Sequence, residues 1–316
     1  MRIPRLLGAL SVPFVLGGAL GCTATVVDAA PDGGGAITTQ ALVLMERAER
    51  DGKTAQTNIS AKFLRAPVAA DSDVVERIVG SALDLPAVGE CMIVPASEDA
   101  GFDPSAVGPI ELFDVGDVTI RSATGEISLA ARAFPDVGDR VSGMFYTSPD
   151  AARDLPAPGK YVLESSGGPG VDRFAIETEA PSAPTDVHIA GRALAEGIEL
   201  LAGEPVDITW HGAAPSNERS PADAPGDDLA YVEIVAENVV AARCAFEDQG
   251  RGLLPASLLR DASFGALPMA ATLAVHRVRQ GTFQVSSIDV GEVRFDLSVI
   301  AGVTLRPGRF DRSREP

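Results

Sequence analysis

Short apolar runs separated by Gly, Pro or Asp recur along nearly the whole chain, and this spacing is the strongest constraint on its fold. After an opening pair at 42–45 and 59–64 the runs fall at 90–94, 110–115, 117–121, 127–133 and 141–147. A second series follows at 187–190, 198–201, 206–210, 229–235, 239–246, 271–278, 282–285, 292–299 and 303–305. Many short strands with a turn signal every eight to twelve residues indicate a β-sandwich or barrel. The fold class expected is therefore all-β.

Asp51-Gly52 between the first two runs is a hairpin signal, with a helix over 39–50 as the competing reading. Residues 74–83 fit either a helix or an extended strand. Residues 180–186, Ala-Pro-Ser-Ala-Pro-Thr-Asp, read as a semi-rigid spacer. They place one β-sandwich domain at 39–180, a linker at 181–186 and a second β-sandwich domain at 187–306. Residues 213–228 read as a Pro-, Asp- and Ser-rich loop, 253–259 as a helical turn, and 307–316 as a disordered tail. In 206–210, Val206, Ile208 and Trp210 alternate with Asp207 and Thr209, so one face is apolar and ends in the only Trp.

Two resemblances refine this. The Pro/Gly turn two residues before Tyr161 resembles the tyrosine corner of immunoglobulin-like domains, in which the phenol packs inward and its hydroxyl satisfies upstream backbone. Leu163 stands where an antibody domain carries its second cysteine, so the likeness is to disulfide-free, fibronectin III-like relatives. It implies two tandem immunoglobulin-like β-sandwich domains. The residues Asp207-Ile-Thr-Trp210, Cys244-Ala-Phe-Glu-Asp-Gln-Gly250 with Leu254-Pro255, and Glu292-Val-Arg-Phe-Asp296 resemble a domain of uncharacterised predicted lipoproteins of myxobacterial type. That group implies architecture and compartment, and no activity.

The first residues bear on compartment directly. Arg2 and Arg5 precede an apolar run over 6–20, and Ala19-Leu20-Gly21 leads to Cys22. A charged start, a short apolar core and small residues before a cut site make a secretory signal at 1–21. The run is too short to span a bilayer as a helix, which takes about 20 residues. The final four residues resemble the lipobox of bacterial lipoproteins, with Ala19 where Leu is usual. The resemblance implies that the Cys22 thiol is acylated, leaving 22–38 as a flexible, lipidated tether. Two or more chains hold a protein to a membrane stably where one does not. Thr23, in place of an Asp, leans toward the outer membrane, on its periplasmic face or at the cell surface.

Removing the leader takes away two Arg and no acid. The mature chain then holds 24 basic and 44 acidic side chains, a net charge of −20. This argues against a nucleic-acid partner and against a broad docking patch for anionic lipid. The membrane partner is expected to be reached through Cys22 alone, with an envelope protein or a polysaccharide as a further partner.

The candidate chemistry is sparse. Cys91 and Cys244 read as two buried small hydrophobes in different domains, with a disulfide as the alternative. Gly52-Lys53-Thr54 lacks the glycine of a phosphate loop, because Arg47 stands at that position. His188, His211 and His276 have no metal-ligand spacing, and no G-x-S-x-G elbow accompanies them. Asp227-Asp228 and the acids at 98–103 do not match an EF-hand loop. The expectation is a non-catalytic cell-envelope lipoprotein without cofactor or metal, with a binding or structural role. A surface adhesion module for polysaccharide or protein is the alternative, and a secreted hydrolase a distant third.

Overall fold

The computed structural model describes residues 36–50, 53, 55–95, 107–135, 141–148, 157–212, 228–236, 240–260, 264 and 266–308. The signal, Cys22 and nearly all of the tether lie outside the described residues, as do most of the 213–228 loop and all but the start of the tail.

In chain order the elements are β1 (Ile37–Arg50), β2 (Gln56–Pro67), helix α1 (Ser72–Ile78), β3 (Cys91–Pro95), β4 (Ile110–Leu112), β5 (Val118–Ser122), β6 (Gly125–Ser128), β7 (Ala130–Ala133) and β8 (Val141–Thr147). They continue with β9 (Gly159–Ser165), β10 (Phe174–Ala180), β11 (His188–Ile189), β12 (Arg192–Ala193), β13 (Ile198–Leu201) and β14 (Val206–Thr209). Last come β15 (Leu229–Ala236), β16 (Val240–Glu247), β17 (Arg251–Leu254), β18 (Met269–Val285) and β19 (Ile288–Arg306). Among the described residues the protein is mostly β, with α1 and short turns besides. Residues 37–50 form a strand of a hairpin, not a helix. Asp71 caps α1 by accepting the Asp73 N–H. The expected helical turn at 253–259 begins instead as the end of β17, with a 3-10 turn at Leu258–Arg260.

One large sheet runs β3-β16-β15-β18-β19-β1-β2-β4-β8-β7, with β13 also paired to β19. Two four-stranded sheets, β10-β9-β5-β6 and β12-β11-β14-β17, pack on one side of it. Val43, Met45, Phe63, Val293 and Phe295 of the large sheet meet Ile120, Leu163, Phe174 and Ile176 of the first small sheet. Val232, Leu273, Val275 and Val303 meet Ile189, Ile208, Trp210 and Leu254 of the second. A third, smaller core lies elsewhere, where Val75 and Val79 pack with Leu64, Ile110, Leu112 and Val141.

Two layered cores are thus present, but they are not consecutive beads. Strands from before and after 181–186 share the large sheet: β1 pairs parallel with β19, and β3 pairs antiparallel with β16. The 17-residue β18 and 19-residue β19 are long enough to pass through both cores. In β18, Leu273 and Val275 lie in the second core, while Phe283 and Val285 reach the first. Residues 181–186 are not a spacer either. Arg277 donates to the carbonyls of Ser182 and Ala183 and to the Ser182 hydroxyl, and Ala183 is buried. Arg279 donates to the Glu179 carbonyl and makes two bonds to Asp228.

Cys91 and Cys244 face each other in register on β3 and β16, and they are joined as a disulfide with Cα atoms 4.0 Å apart. The reading as two unpaired hydrophobes in separate domains is therefore corrected: one sheet brings together residues that are 153 apart in sequence. Tyr161 packs inward against Phe295, while the preceding residues 151–156 lie outside the described residues. A second tyrosine, Tyr146, bonds upstream backbone through its hydroxyl, which accepts the Val115 N–H and donates to Asp114.

Candidate functional site

Strand alternation sends Leu273 and Val275 of β18 into a core and points His276 to the opposite face of the large sheet. On the same face β15 contributes Tyr231 and Glu233, and β19 contributes Glu292, Arg294 and Asp296. Tyr231 stands directly opposite His276 in the ladder, and their rings stack at 4.0 Å and 15°. Asp296 joins them: its Oδ1 lies 2.7 Å from His276 Nδ1, and its Oδ2 accepts the Tyr231 hydroxyl at 2.7 Å. A carboxylate only accepts, so the neutral imidazole carries its proton on Nδ1. Nε2 is then a buried acceptor, and among the described residues it has no hydrogen-bond partner.

The electrostatics follow from burial and from these contacts. Burial alone raises the Asp296 carboxyl, but His276 and the Tyr231 hydroxyl together bring it below its ordinary value. Burial first, and the Asp296 charge second, push the Tyr231 phenol far up, so it stays a donor. Next to them on β1, Glu46 still reaches solvent; partial burial, then the Asp296 charge, raises its carboxyl. Lys62 of β2 is buried, which lowers its amine to about 8.

The connection 68–90 covers part of this face. Lys62 Nζ donates to the Gly80 carbonyl at 3.2 Å and to Ser81 Oγ at 2.8 Å. Arg294 donates to the Ser81 carbonyl at 2.6 Å and to Glu76 at 3.0 Å, and it is also held by Glu292. Arg243 of β16 donates to the Asp84 carbonyl at 3.0 Å and to Glu233 at 2.8 Å. Three cations on three strands thus grip backbone or hydroxyl oxygens of one crossing segment.

Chemically, the His276–Asp296 pair can hold or exchange a proton. Among the described residues no nucleophile bonds the His276 Nε2: Ser298 lies opposite His276 in the ladder, but its hydroxyl points to the Arg47 carbonyl at 3.5 Å. The other histidines have separate roles. His188 Nδ1 bonds the Asp186 carbonyl, and His211 acts through its backbone, with its N–H on Thr185 and its carbonyl accepting from Arg277. Asp228 is occupied by Arg279, whereas Asp227, the acids at 98–103, Gly52 and Thr54 lie outside the described residues. Cys22 lies there as well. Among the described residues no group of three or more His, Cys, Asp or Glu side chains is placed to hold a metal ion. No helix among them is long and apolar enough to cross a membrane.

The sequence alone assigns no site role to Tyr231, Asp296, Lys62 or Arg294. The alternation in Glu292-Val-Arg-Phe-Asp296 signals a polar face, but an ordinary strand with one wet face gives the same signal.

No protein-family profile matches the chain, and no curated protein matches it. Among solved structures, the chain is similar to the Fcho1 mu homology domain of Danio rerio, solved with a bound Eps15 peptide. The identity is 13%, with 85% of this chain and 97% of that chain covered and a TM-score of 0.25. So distant a likeness assigns neither fold nor activity.

Proposed function

We propose that this protein is a non-catalytic lipoprotein of the cell envelope, held to a membrane through an acylated Cys22. Its role is binding or structural, with an envelope protein or polysaccharide as partner, and its type is that of the predicted myxobacterial lipoproteins. The observation that carries this reading is the sequence Met1–Cys22: charged start, short apolar run, then small residues directly before a cysteine. The net charge of −20 after cleavage supports it, because it leaves the lipid as the means of holding an acidic body at a membrane. We read the two cores as immunoglobulin-like sandwiches fused through a common sheet, with Tyr161 and Trp210 as buried anchors.

The test is the mass of the mature amino terminus together with detergent-phase partitioning. The reading expects an acyl increment on Cys22, and recovery in the detergent phase that Cys22→Ala abolishes. An unmodified first residue and recovery in water would overturn it. Co-purification from solubilised membranes then identifies the partner.

A further inference from the structure

We propose that residues 82–88 form a releasable strap over the polar face of the large sheet, closed while His276 is neutral and lifted when His276 is protonated. The strap belongs to the connection 68–90, which leaves β2 in the middle of the sheet and reaches β3 at its edge and so must cross β1, β19, β18, β15 and β16. Arg294 grips Ser81 from β19, and Arg243 grips Asp84 from β16. Between these grips the chain passes over β18 and β15, the strands that carry His276 and Tyr231. Among the described residues no backbone N–H from 82 to 88 donates to another backbone group. Of residues 81–90 only Ser81 is buried. Gly89 and Glu90 are tied to Ala245 by two backbone bonds, so the liftable stretch ends at 88, and within it backbone bonding is sparse and the Arg243 grip on Asp84 is the bond to break. Its ends remain fixed, by Val75 and Val79 in the third core and by the Cys91–Cys244 disulfide.

The trigger is the unpartnered Nε2. Protonation turns it into a buried N–H with nothing to receive it, and water can satisfy that donor only after the strap lifts. The ionisable groups facing His276 are Asp296, Arg294 and Glu292 on β19, Tyr231 and Glu233 on β15, Arg243 on β16, Glu46 on β1 and Lys62 on β2. From the covering side come Glu76, Arg77 and Asp84, the last two paired with each other. On β18 itself, Arg277 and Arg279 serve the opposite face. The added charge is met by Asp296 at 2.7 Å, so the strap is released by the unsatisfied N–H and not by charge repulsion. Asp296 is ionised in both states and keeps the ring in place.

Hydroxyl-radical footprinting of the mature chain tests this, with Tyr231 as the reporter. Its closed-state exposure is 3%, against 2% for Tyr161, which lies far from the strap. Between pH 7.5 and pH 5, Tyr231 labelling should rise about tenfold, as expected when a group costly to bury unpaired is released. Tyr161 labelling should stay flat, and His276→Gln should remove the rise, which separates His276 from Glu46. Arg243→Gln, which releases the Asp84 carbonyl, should raise Tyr231 labelling severalfold already at pH 7.5. The proposal is overturned if Tyr231 labelling ignores pH, if it rises equally in His276→Gln, if Tyr161 rises with it, or if Arg243→Gln changes nothing at pH 7.5.

Discussion

Among the described residues Arg277 and Asp248 are the least exposed ion pair, at 1% and 2% side-chain exposure, and they sit where three segments meet. Asp248 also accepts the Trp210 indole N–H, while the guanidinium takes carbonyls from Ser182, Ala183 and His211. Removing one partner of such a pair strands the other charge, a loss of about 3–5 kcal/mol. We expect Arg277→Met to lose that much stability in urea. Adding Asp248→Asn keeps an acceptor for Trp210 but removes the charge, so the double variant should be more stable than the sum of the singles. Lys62 gives a pH signature. Burial lowers its amine to about 8 in the folded protein, against 10.5 for a free lysine side chain. Below pH 8 both states are protonated and the full penalty of the buried charge applies. From pH 8 to 10.5 the unfolded chain binds the extra proton, so unfolding free energy rises with pH. Between pH 7.5 and 9.5 the wild type should gain about 2 kcal/mol relative to Lys62→Met. An equal slope in the two proteins would exclude this assignment.

Among the elements, those with local signals were legible. Val206, Ile208 and Trp210 are buried and Asp207 and Thr209 exposed, as strand alternation requires. Asp51-Gly52 likewise led to the β1–β2 hairpin. Pairings were not legible, because a strand's period says nothing about its neighbour. Gln40 of β1 pairs with Val290 of β19, and no local feature of either sequence points to the other. The segment 181–186 has the composition of a spacer, yet it is pinned by Arg277, 95 residues away from Ser182. His276-Arg-Val-Arg279 carries polar groups on both faces, so alternation could not tell which side would be covered. Cysteine spacing was equally silent on β3, whose attachment at the sheet edge includes the Cys91–Cys244 bond. That bond closes a long loop and typically stabilises by about 2–4 kcal/mol. The two thiols should resist alkylation until reductant is added, and reduction should lower the urea midpoint by a corresponding amount. Alkylation without reductant would show the bond to be absent.

At the scale of the whole molecule, the shared sheet determines how the protein unfolds. Tandem sandwiches would melt as two transitions, and residues 187–306 would fold alone. Here the second core borrows β3 from the first half of the chain, and the β18–β19 hairpin cannot leave one core without stripping the other. Residues 35–316 form one compact unit. At about 0.7 kcal/mol per residue near 60 °C, its unfolding enthalpy should approach roughly 200 kcal/mol. Calorimetry should then show a single peak whose van't Hoff enthalpy matches the calorimetric one. A fragment of 187–306 lacks the β1 and β3 partners of β19 and β16, and should be unfolded by circular dichroism. Two resolved peaks, or a folded fragment, would mean that the cores are energetically separate although they share a sheet. The strap's ends would then be anchored in bodies able to move apart, and lifting it would no longer need the proton on His276.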